Sequence, residues 1–186
     1  MPLFDFVTVQ LSTITFLKSP TPSVPIFIAA EGVGDFRNVI VDNCTVTKSN
    51  RGISIQIRDG GNVSNVSFSN IIIETRRFCP DWWGSAEPIA ITAFRRDENT
   101  VCGKVENIRF FNITCHGENG VLIYGTKDNP IKNVHFENVS VVLDKTSKWD
   151  CGLYDLRPAI HHSFLTACPK SSNRLVISIL SSSTDC

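Results

Sequence analysis

The sequence predicts an all-β chain folded as a right-handed parallel β-helix, a solenoid of about four to five stacked coils. The first supporting observation is a repeated pattern, Asn-[Val/Ile]-x-[Val/Phe]-x-Asn. Its copies begin at Asn38, Asn65, Asn107 and Asn133, so the first and third intervals are nearly equal and the middle one is longer. Each copy alternates apolar and polar side chains, as a strand with one buried face does, and ends on an Asn suited to a turn.

A second, shorter pattern of alternating aliphatic residues recurs in phase with the first. Its copies begin at Ile26, Ile53, Ile89 and Val121. Strands with one apolar face cannot bury it alone, so successive periods are expected to stack as parallel sheets with the aliphatic residues inside. Equivalent Asn residues on neighbouring coils are then expected to bond one another in a ladder. The segments between the strands lack helical periodicity, which excludes an ordinary α/β fold.

The repeat divides the chain into three parts. Residues 25–158 form the predicted β-helix domain, with an insertion near 76–87 that accounts for the long middle interval. Residues 1–24 precede this domain as a segment suited to a partial coil, and residues 159–186 follow it as a tail without a repeat copy. This organisation indicates a solenoid that is truncated on its N-terminal side. At the other end, the tail either caps the solenoid or is poorly ordered.

Composition and charge restrict the classes of partner. The 186 residues are 42% hydrophobic and carry 18 basic and 18 acidic side chains. A neutral chain gives no electrostatic reason to bind nucleic acid, and no apolar run is long enough to span a bilayer. The N-terminus lacks the basic region of a signal peptide. We therefore expect no nucleic acid and no membrane among the partners.

The cysteine, histidine and sequon patterns give few functional signals. Seven Cys residues cannot all pair internally, and Cys79 and Cys102 flank the insertion, where a disulfide would close it in an extracellular protein. His161 and His162 are adjacent and diverge on a strand, so neither a metal site nor a cofactor is expected. The Asn-x-Ser/Thr sequons either carry glycans, as in a secreted protein, or are chance matches, which a repeat rich in Asn multiplies; we favour chance matches for the individual sites. The five sequons are at Asn43, Asn62, Asn65, Asn112 and Asn138.

Four segments in a fixed order carry a resemblance to a known family. They are residues 35–39, 51–59, 82–89 and 152–158. Through them, residues 34–158 resemble the polygalacturonase-like proteins, family 28 glycoside hydrolases of the pectin-lyase-like superfamily. The resemblance implies hydrolysis of pectic polysaccharide with inversion, no cofactor, and a secreted or cell-wall location. It implies pectic polysaccharide or oligogalacturonate as the partner, and we expect a monomer.

The catalytic motifs that the resemblance implies are missing from the chain. It contains no Asn-Thr-Asp and no Asp-Asp. The His of the family's Gly-His-Gly falls at Val24, and the family's Arg-Ile-Lys strand falls at 54–56, which reads Ser-Ile-Gln. Inverting hydrolysis uses two carboxyl groups about 6.5–9.5 Å apart. We therefore expect an incomplete or inactive copy, in which Glu87 is the remaining candidate for a catalytic acid or base; its alternative is a structural pair with a nearby Arg.

The resemblance also implies a sugar-binding surface on the aliphatic strands. With Ile53, Ile55 and Ile57 inward, Ser54, Gln56 and Arg58 point outward. The equivalent outward residues on the next coils are Ala90, Thr92, Leu122 and Tyr124. We call these seven residues the outer row.

Within the outer row, Arg58 is the candidate for binding a uronate carboxylate, because a guanidinium grips a carboxylate in a bidentate manner. Ser54, Gln56 and Tyr124 are further candidates for contacts with sugar. Other cations and aromatic residues have two interpretations each. Arg51, Arg95 and Arg96 either assist Arg58 or are solvated surface charges. Trp82 and Trp83 either stack on sugar rings or pack against the coil below.

Three hypotheses about function follow. The first is a polysaccharide hydrolase represented by its downstream half. The second is a non-catalytic carbohydrate-binding solenoid that uses Arg58 and the loop with Trp82 and Trp83. The third is a truncated product without a stable role. Absence of the catalytic Asp motifs favours the second and third for this chain itself.

Overall fold

The computed structural model describes residues 7–10, 14–15, 24–28, 34–78, 84–101, 103–144, 146–147 and 175–184. All regular secondary structure in these ranges is β-strand, which confirms the all-β prediction. The strands are β1 (Val7–Gln10), β2 (Ile14–Thr15), β3 (Ile26–Ile28), β4 (Phe36–Ser49), β5 (Ile53–Ile57), β6 (Val63–Thr75), β7 (Ile89–Ala93), β8 (Val105–Gly117), β9 (Leu122–Gly125), β10 (Ile131–Leu143) and β11 (Leu175–Thr184). Across these ranges, no helix suited to crossing a membrane is found.

The strands form two sheets in which equivalent strands of successive coils lie side by side. The larger sheet has the order β1-β4-β6-β8-β10-β11, with β2 also paired to β4, and the smaller sheet has the order β3-β5-β7-β9. Every pair is parallel except β10 with β11. The chain alternates between the two sheets as it advances, so the predicted right-handed parallel β-helix is confirmed.

The register of the larger sheet reproduces the repeat of the sequence. Val39 pairs with Val66, Val66 with Ile108, and Ile108 with Val134. Each of these residues directly follows the Asn that begins a copy of the repeat, so the steps between strand partners equal the intervals between copies. Each coil therefore places its apolar residues directly against those of its neighbours.

The long middle interval of the repeat comes from two extended connections. Thirteen residues, 76–88, join β6 to β7, whereas three join β4 to β5. Eleven residues, 94–104, join β7 to β8, whereas five join β5 to β6. The sequence analysis placed the insertion near 76–87, although Ile89 also lies farther from the next repeat Asn, Asn107, than its equivalents on the other coils do. The smaller sheet thus carries a long connection on each side of β7.

Both ends of the larger sheet are paired by strands from outside the repeat. β1 and β2 lie parallel to β4, as strands of a partial coil would. β11 lies antiparallel along β10 from Leu143–Leu175 to Val134–Thr184 and so covers an edge that would otherwise be open. The division into residues 1–24, 25–158 and 159–186 stays a prediction.

Asn residues bend the long strands of the larger sheet. Each of β4, β6, β8 and β10 contains two Asn residues with φ between 52° and 58°, the left-handed region that Asn tolerates better than most residues. These are Asn38, Asn43, Asn65, Asn70, Asn107, Asn112, Asn133 and Asn138. We expected such residues to separate short strands. The pairing instead continues through each bend, because the neighbouring coils bend at the same register.

The predicted ladder of Asn side chains is present in the first of two columns. The Asn65 Nδ2 donates to Asn38 Oδ1 at 3.2 Å, Asn107 to Asn65 at 3.1 Å, and Asn133 to Asn107 at 2.6 Å. Each rung satisfies one amide group and fixes the register between two coils.

The second column begins on a carboxylate instead of an amide. The Asn138 Nδ2 donates to Asn112 Oδ1 at 3.0 Å, and Asn112 donates to Asn70 at 2.7 Å. Asn70 then donates to the Asp42 carboxylate at 2.8 Å. Hydrogen bonds from the Ser69 hydroxyl and from Asn70 lower the pKa of Asp42, because they favour its charged form.

The core is a set of aliphatic columns with one aromatic column. Phe68, Phe110 and Phe136 occupy the same position on successive coils and stack with ring centroids 5.1 and 4.9 Å apart. Phe110, in the middle, is fully buried, whereas its neighbour Phe111 faces outward under the Arg109 guanidinium. Two adjacent residues of β8 therefore pack in different places, Phe110 in the core and Phe111 at the surface.

Phe110→Ala should lower the free energy of unfolding by about 3–5 kcal/mol, because it opens a cavity between two stacked rings. Phe111→Ala should lower it by less than about 1 kcal/mol, because its ring lies at the surface. Urea unfolding of the two variants measures both effects. Equal losses would contradict the stacked aromatic column.

Candidate functional site

The outer row lies on the smaller sheet, where alternation determines which side chains leave the core. Ile53, Ile55 and Ile57 of β5 belong to the hydrophobic core, and Ser54 and Gln56 lie between them on the opposite face. Strand pairing then extends this face across the coils. One rung is Ser54–Ala90–Leu122, and the next is Gln56–Thr92–Tyr124.

The outer row is buried, although the sequence predicted side chains open to solvent. Ser54 is 0% exposed, Gln56 2%, Arg58 2% and Thr92 4%. Tyr124 is half-buried. Alternation predicts which face a side chain takes, but it does not predict what packs against that face. Phe94, directly after β7, is one residue that packs against this row, since it contacts Arg58 and Tyr124. The open row is therefore corrected to a covered one.

Three oxygens in this covered row make no hydrogen bond within the described residues. They are the Ser54 Oγ, the Gln56 Oε1 and the Thr92 Oγ1. Most buried polar side-chain atoms have a partner, and leaving one without costs roughly 1–3 kcal/mol. The three atoms lie on two adjacent rungs of one sheet face, and each keeps a hydrogen-bonding position that no described residue fills.

Arg58 lies at the end of the row and contacts an aromatic pair. Its guanidinium carbon is 5.2 Å from the centroid of the Phe94 ring. Phe94 in turn meets Tyr124 edge to face, with centroids 6.1 Å apart. The cation is thus held against a ring face in a region of low exposure, where its attraction to a carboxylate would be stronger than in water.

Glu87 is held by a buried ion pair. Its Oε2 accepts hydrogen bonds from the Arg51 Nε at 3.0 Å and from the Ser85 backbone N–H at 2.8 Å. The side chains of Arg51 and Glu87 are 2% and 0% exposed. Gly84 lies against this pair with φ 146°. A Cβ at Gly84 would lie 2.6 Å from the Asn50 Nδ2, so a larger residue would not fit there. Glu87 therefore anchors the end of the 76–88 connection just before β7. This is the structural pair with an Arg that the sequence analysis gave as the alternative to a catalytic role.

The other predicted cations form ion pairs near the surface. Arg95 pairs with Asp128 at 3.1 Å, with side chains 47% and 70% exposed. Arg96 makes two hydrogen bonds to the Asp59 carboxylate, both at 3.1 Å. These contacts favour the interpretation of Arg95 and Arg96 as surface charges.

Several predicted residues lie outside the described part of the chain. They include Trp82 and Trp83, the cysteines of the predicted disulfide and the two adjacent histidines. Their roles stay predictions. Across the described ranges, no group of three His, Cys, Asp or Glu residues is placed to hold a metal ion.

The structure adds one residue, Phe27, to the surface predicted from the sequence. Thr92, already in the outer row, pairs with Gln56 across β5 and β7. Phe27 pairs with Ser54 and is 44% exposed at the edge of the same face. The period-2 alternation of β3 was the available signal for Phe27, but the pattern around 25–28 is too short to stand out alone.

Carboxylates are absent from the four strands of the smaller sheet as the structure describes them, β3, β5, β7 and β9. The acidic residues that flank these strands most closely are Glu87 before β7 and Asp59 after β5. Each is bound by an Arg side chain. The described part of this sheet therefore presents polar and cationic groups without a free carboxylate pair.

By its fold and this surface, the protein belongs to the class of parallel β-helices, with a polar row on the smaller sheet. The family described as glycosyl hydrolases family 28 matches residues 28–156, more than half of the chain. The chain belongs to this family, whose hydrolases act on pectic polysaccharides, and the resemblance predicted from the sequence is confirmed. No curated protein and no solved structure matches the chain.

Glu87→Gln should lower the free energy of unfolding by about 3–5 kcal/mol, because it leaves the buried Arg51 cation without a counter-charge. Asp128→Asn is the matched control, since it breaks the exposed pair with Arg95 and should cost less than about 1 kcal/mol. Urea unfolding compares the two. A Glu87→Gln variant as stable as Asp128→Asn would show that the ion pair does not hold the connection.

Proposed function

We propose that this chain binds pectic polysaccharide along the outer row of the smaller sheet, without hydrolysing it through the residues described. Ser54, Gln56 and Thr92 would receive sugar hydroxyls, and Arg58 would bind a uronate carboxylate. By family, the protein would act outside the cell, at the cell wall, as a monomer. Trp82 and Trp83 would contribute stacking surfaces from the long connection.

The observation that carries this proposal is the set of unpartnered buried oxygens. Neighbouring strands are about 4.8 Å apart, so the Gln56 and Thr92 oxygens can reach hydroxyl groups of one sugar ring. Ser54 lies two residues from Gln56 along β5, close enough for the adjacent hydroxyl or ring. Because these side chains are buried, a chain of sugars would reach them only after the residues packed against them rearrange.

The second part of the proposal concerns the lack of hydrolysis. Inversion requires one carboxyl group to protonate the leaving oxygen and another to activate water. Glu87 is paired with Arg51 through its Oε2, while its buried Oε1 has no hydrogen-bond partner among the described residues, and Asp59 is paired with Arg96. A hydrolase is the second candidate function, which membership of the family favours, and it requires a carboxylate pair that the described strands of the smaller sheet do not supply.

Thr92→Val tests whether the unpartnered oxygens serve a ligand. Removing a hydroxyl without a partner should leave the free energy of unfolding unchanged or raise it. It should weaken binding of an oligogalacturonate up to about tenfold, the value of one hydrogen bond. Isothermal titration calorimetry and urea unfolding measure the two quantities.

Thr75→Val provides the matched control. The Thr75 Oγ1 donates to the Ala86 carbonyl oxygen at 2.7 Å, so the same substitution should cost about 1–3 kcal/mol of stability there. Oligogalacturonate affinity should not change in this variant. Unaltered affinity in Thr92→Val would remove the outer row from the binding site.

A further inference from the structure

The five Asn-x-Ser/Thr sequons differ in what their side-chain amides already do. An N-linked glycan replaces one hydrogen on Nδ2, and the sugar then lies beside the Oδ1 of the same amide. A folded site therefore needs an exposed side chain whose Nδ2 and Oδ1 are both free of neighbouring coils. All five sequon Asn residues lie within the described part of the chain, so the test can be applied to each.

Asn65 and Asn112 are engaged on both sides by the ladders. Asn65 donates to Asn38 at 3.2 Å, and its Oδ1 accepts from Asn107 at 3.1 Å. Asn112 donates to Asn70 at 2.7 Å and accepts from Asn138 at 3.0 Å. A glycan on either residue would wedge between two coils and break the register that the ladder holds.

Asn62 is also engaged on both sides, and Asn138 on one. The Asn62 Nδ2 donates to Asp35 at 2.8 Å, while its Oδ1 accepts from the Lys104 backbone N–H at 2.9 Å. Asn138 donates to Asn112 at 3.0 Å, and its Oδ1 has no partner within the described residues. Asn138 therefore loses one contact on modification, where Asn62 loses two.

Asn43 is the exception. Its side chain is exposed and makes no hydrogen bond with any described residue. The reason is the carboxylate that begins the second ladder, since Asn70 donates to Asp42 instead of to Asn43. Thr45, the hydroxyl residue of this sequon, lies two positions on and is half-buried. Asn43 also lies on the larger sheet, away from the strands that carry the outer row.

We propose that Asn43 is an N-glycosylation site and that Asn62, Asn65 and Asn112 remain unmodified in the folded protein. The donor would be an oligosaccharide linked to a lipid through a diphosphate. The Asn43 Nδ2 forms a bond to the first sugar's anomeric carbon, the lipid diphosphate leaves, and the amide loses one proton. Among the described residues, the Asn43 amide makes no hydrogen bond between coils that this substituent would break.

The test is to export the full chain from a eukaryotic secreting host and map its glycans by mass spectrometry after enzymatic deglycosylation in heavy-oxygen water. We expect the isotopic label at Asn43, none at Asn62, Asn65 and Asn112, and occupancy at Asn138 no higher than at Asn43. A glycan on Asn65 or Asn112, or an unmodified Asn43, overturns the proposal.

Thr45→Val is the sharper of the available variants. It removes the sequon hydroxyl but leaves Asn43 in its left-handed conformation, so the bend of β4 is kept. The label at Asn43 should disappear. Thr114→Val, which removes the Asn112 sequon in the same way, should leave the glycan pattern unchanged. Mapping of the unsubstituted chain decides the question even if either variant fails to fold.

Discussion

Every coil of this chain depends on the coils next to it, because a single coil cannot bury its own aliphatic column. The strand register provides that burial, because it pairs the apolar residues of one coil with the apolar residues of the next. The two Asn ladders hold the same register from the surface, with each Asn–Asn rung joining equivalent residues of neighbouring coils. The aromatic stack centred on Phe110 holds it from inside.

The same stacking also creates the polar surface of the smaller sheet. Once Ile53 and Ile55 face the core, Ser54 and Gln56 must face away, and pairing brings Thr92 beside Gln56. The long connections on both sides of β7 supply chain near this sheet, one of them anchored by the Arg51–Glu87 pair. The result is an outer row that is polar, covered and incompletely hydrogen-bonded. Under our proposal, a bound hydroxyl-rich polymer would supply the missing partners.

The sequence predicted the fold well because the information is periodic. The Asn pattern gave the register of the larger sheet, and alternation gave the face taken by each residue of β5. Neither pattern carries information about a feature that occurs only once in the chain. The second long connection, 94–104, showed in the sequence only as a longer spacing between Ile89 and Asn107. The partner of Glu87 depends on how residues 76–88 return to the sheet. β11 pairs antiparallel with β10 in a tail that lacks a repeat copy, although 175–179 is a run of strand-forming residues.

The central claim is that the outer row binds pectic polysaccharide while the described residues do not cleave it. The direct measurement is reducing-sugar release from polygalacturonate by the full chain, at concentrations where calorimetry detects oligogalacturonate binding. Our account predicts binding with no release above the background without protein. Release that is abolished in a folded Glu87→Gln variant would contradict it, because Glu87 would then act as a catalytic group instead of as the partner of Arg51.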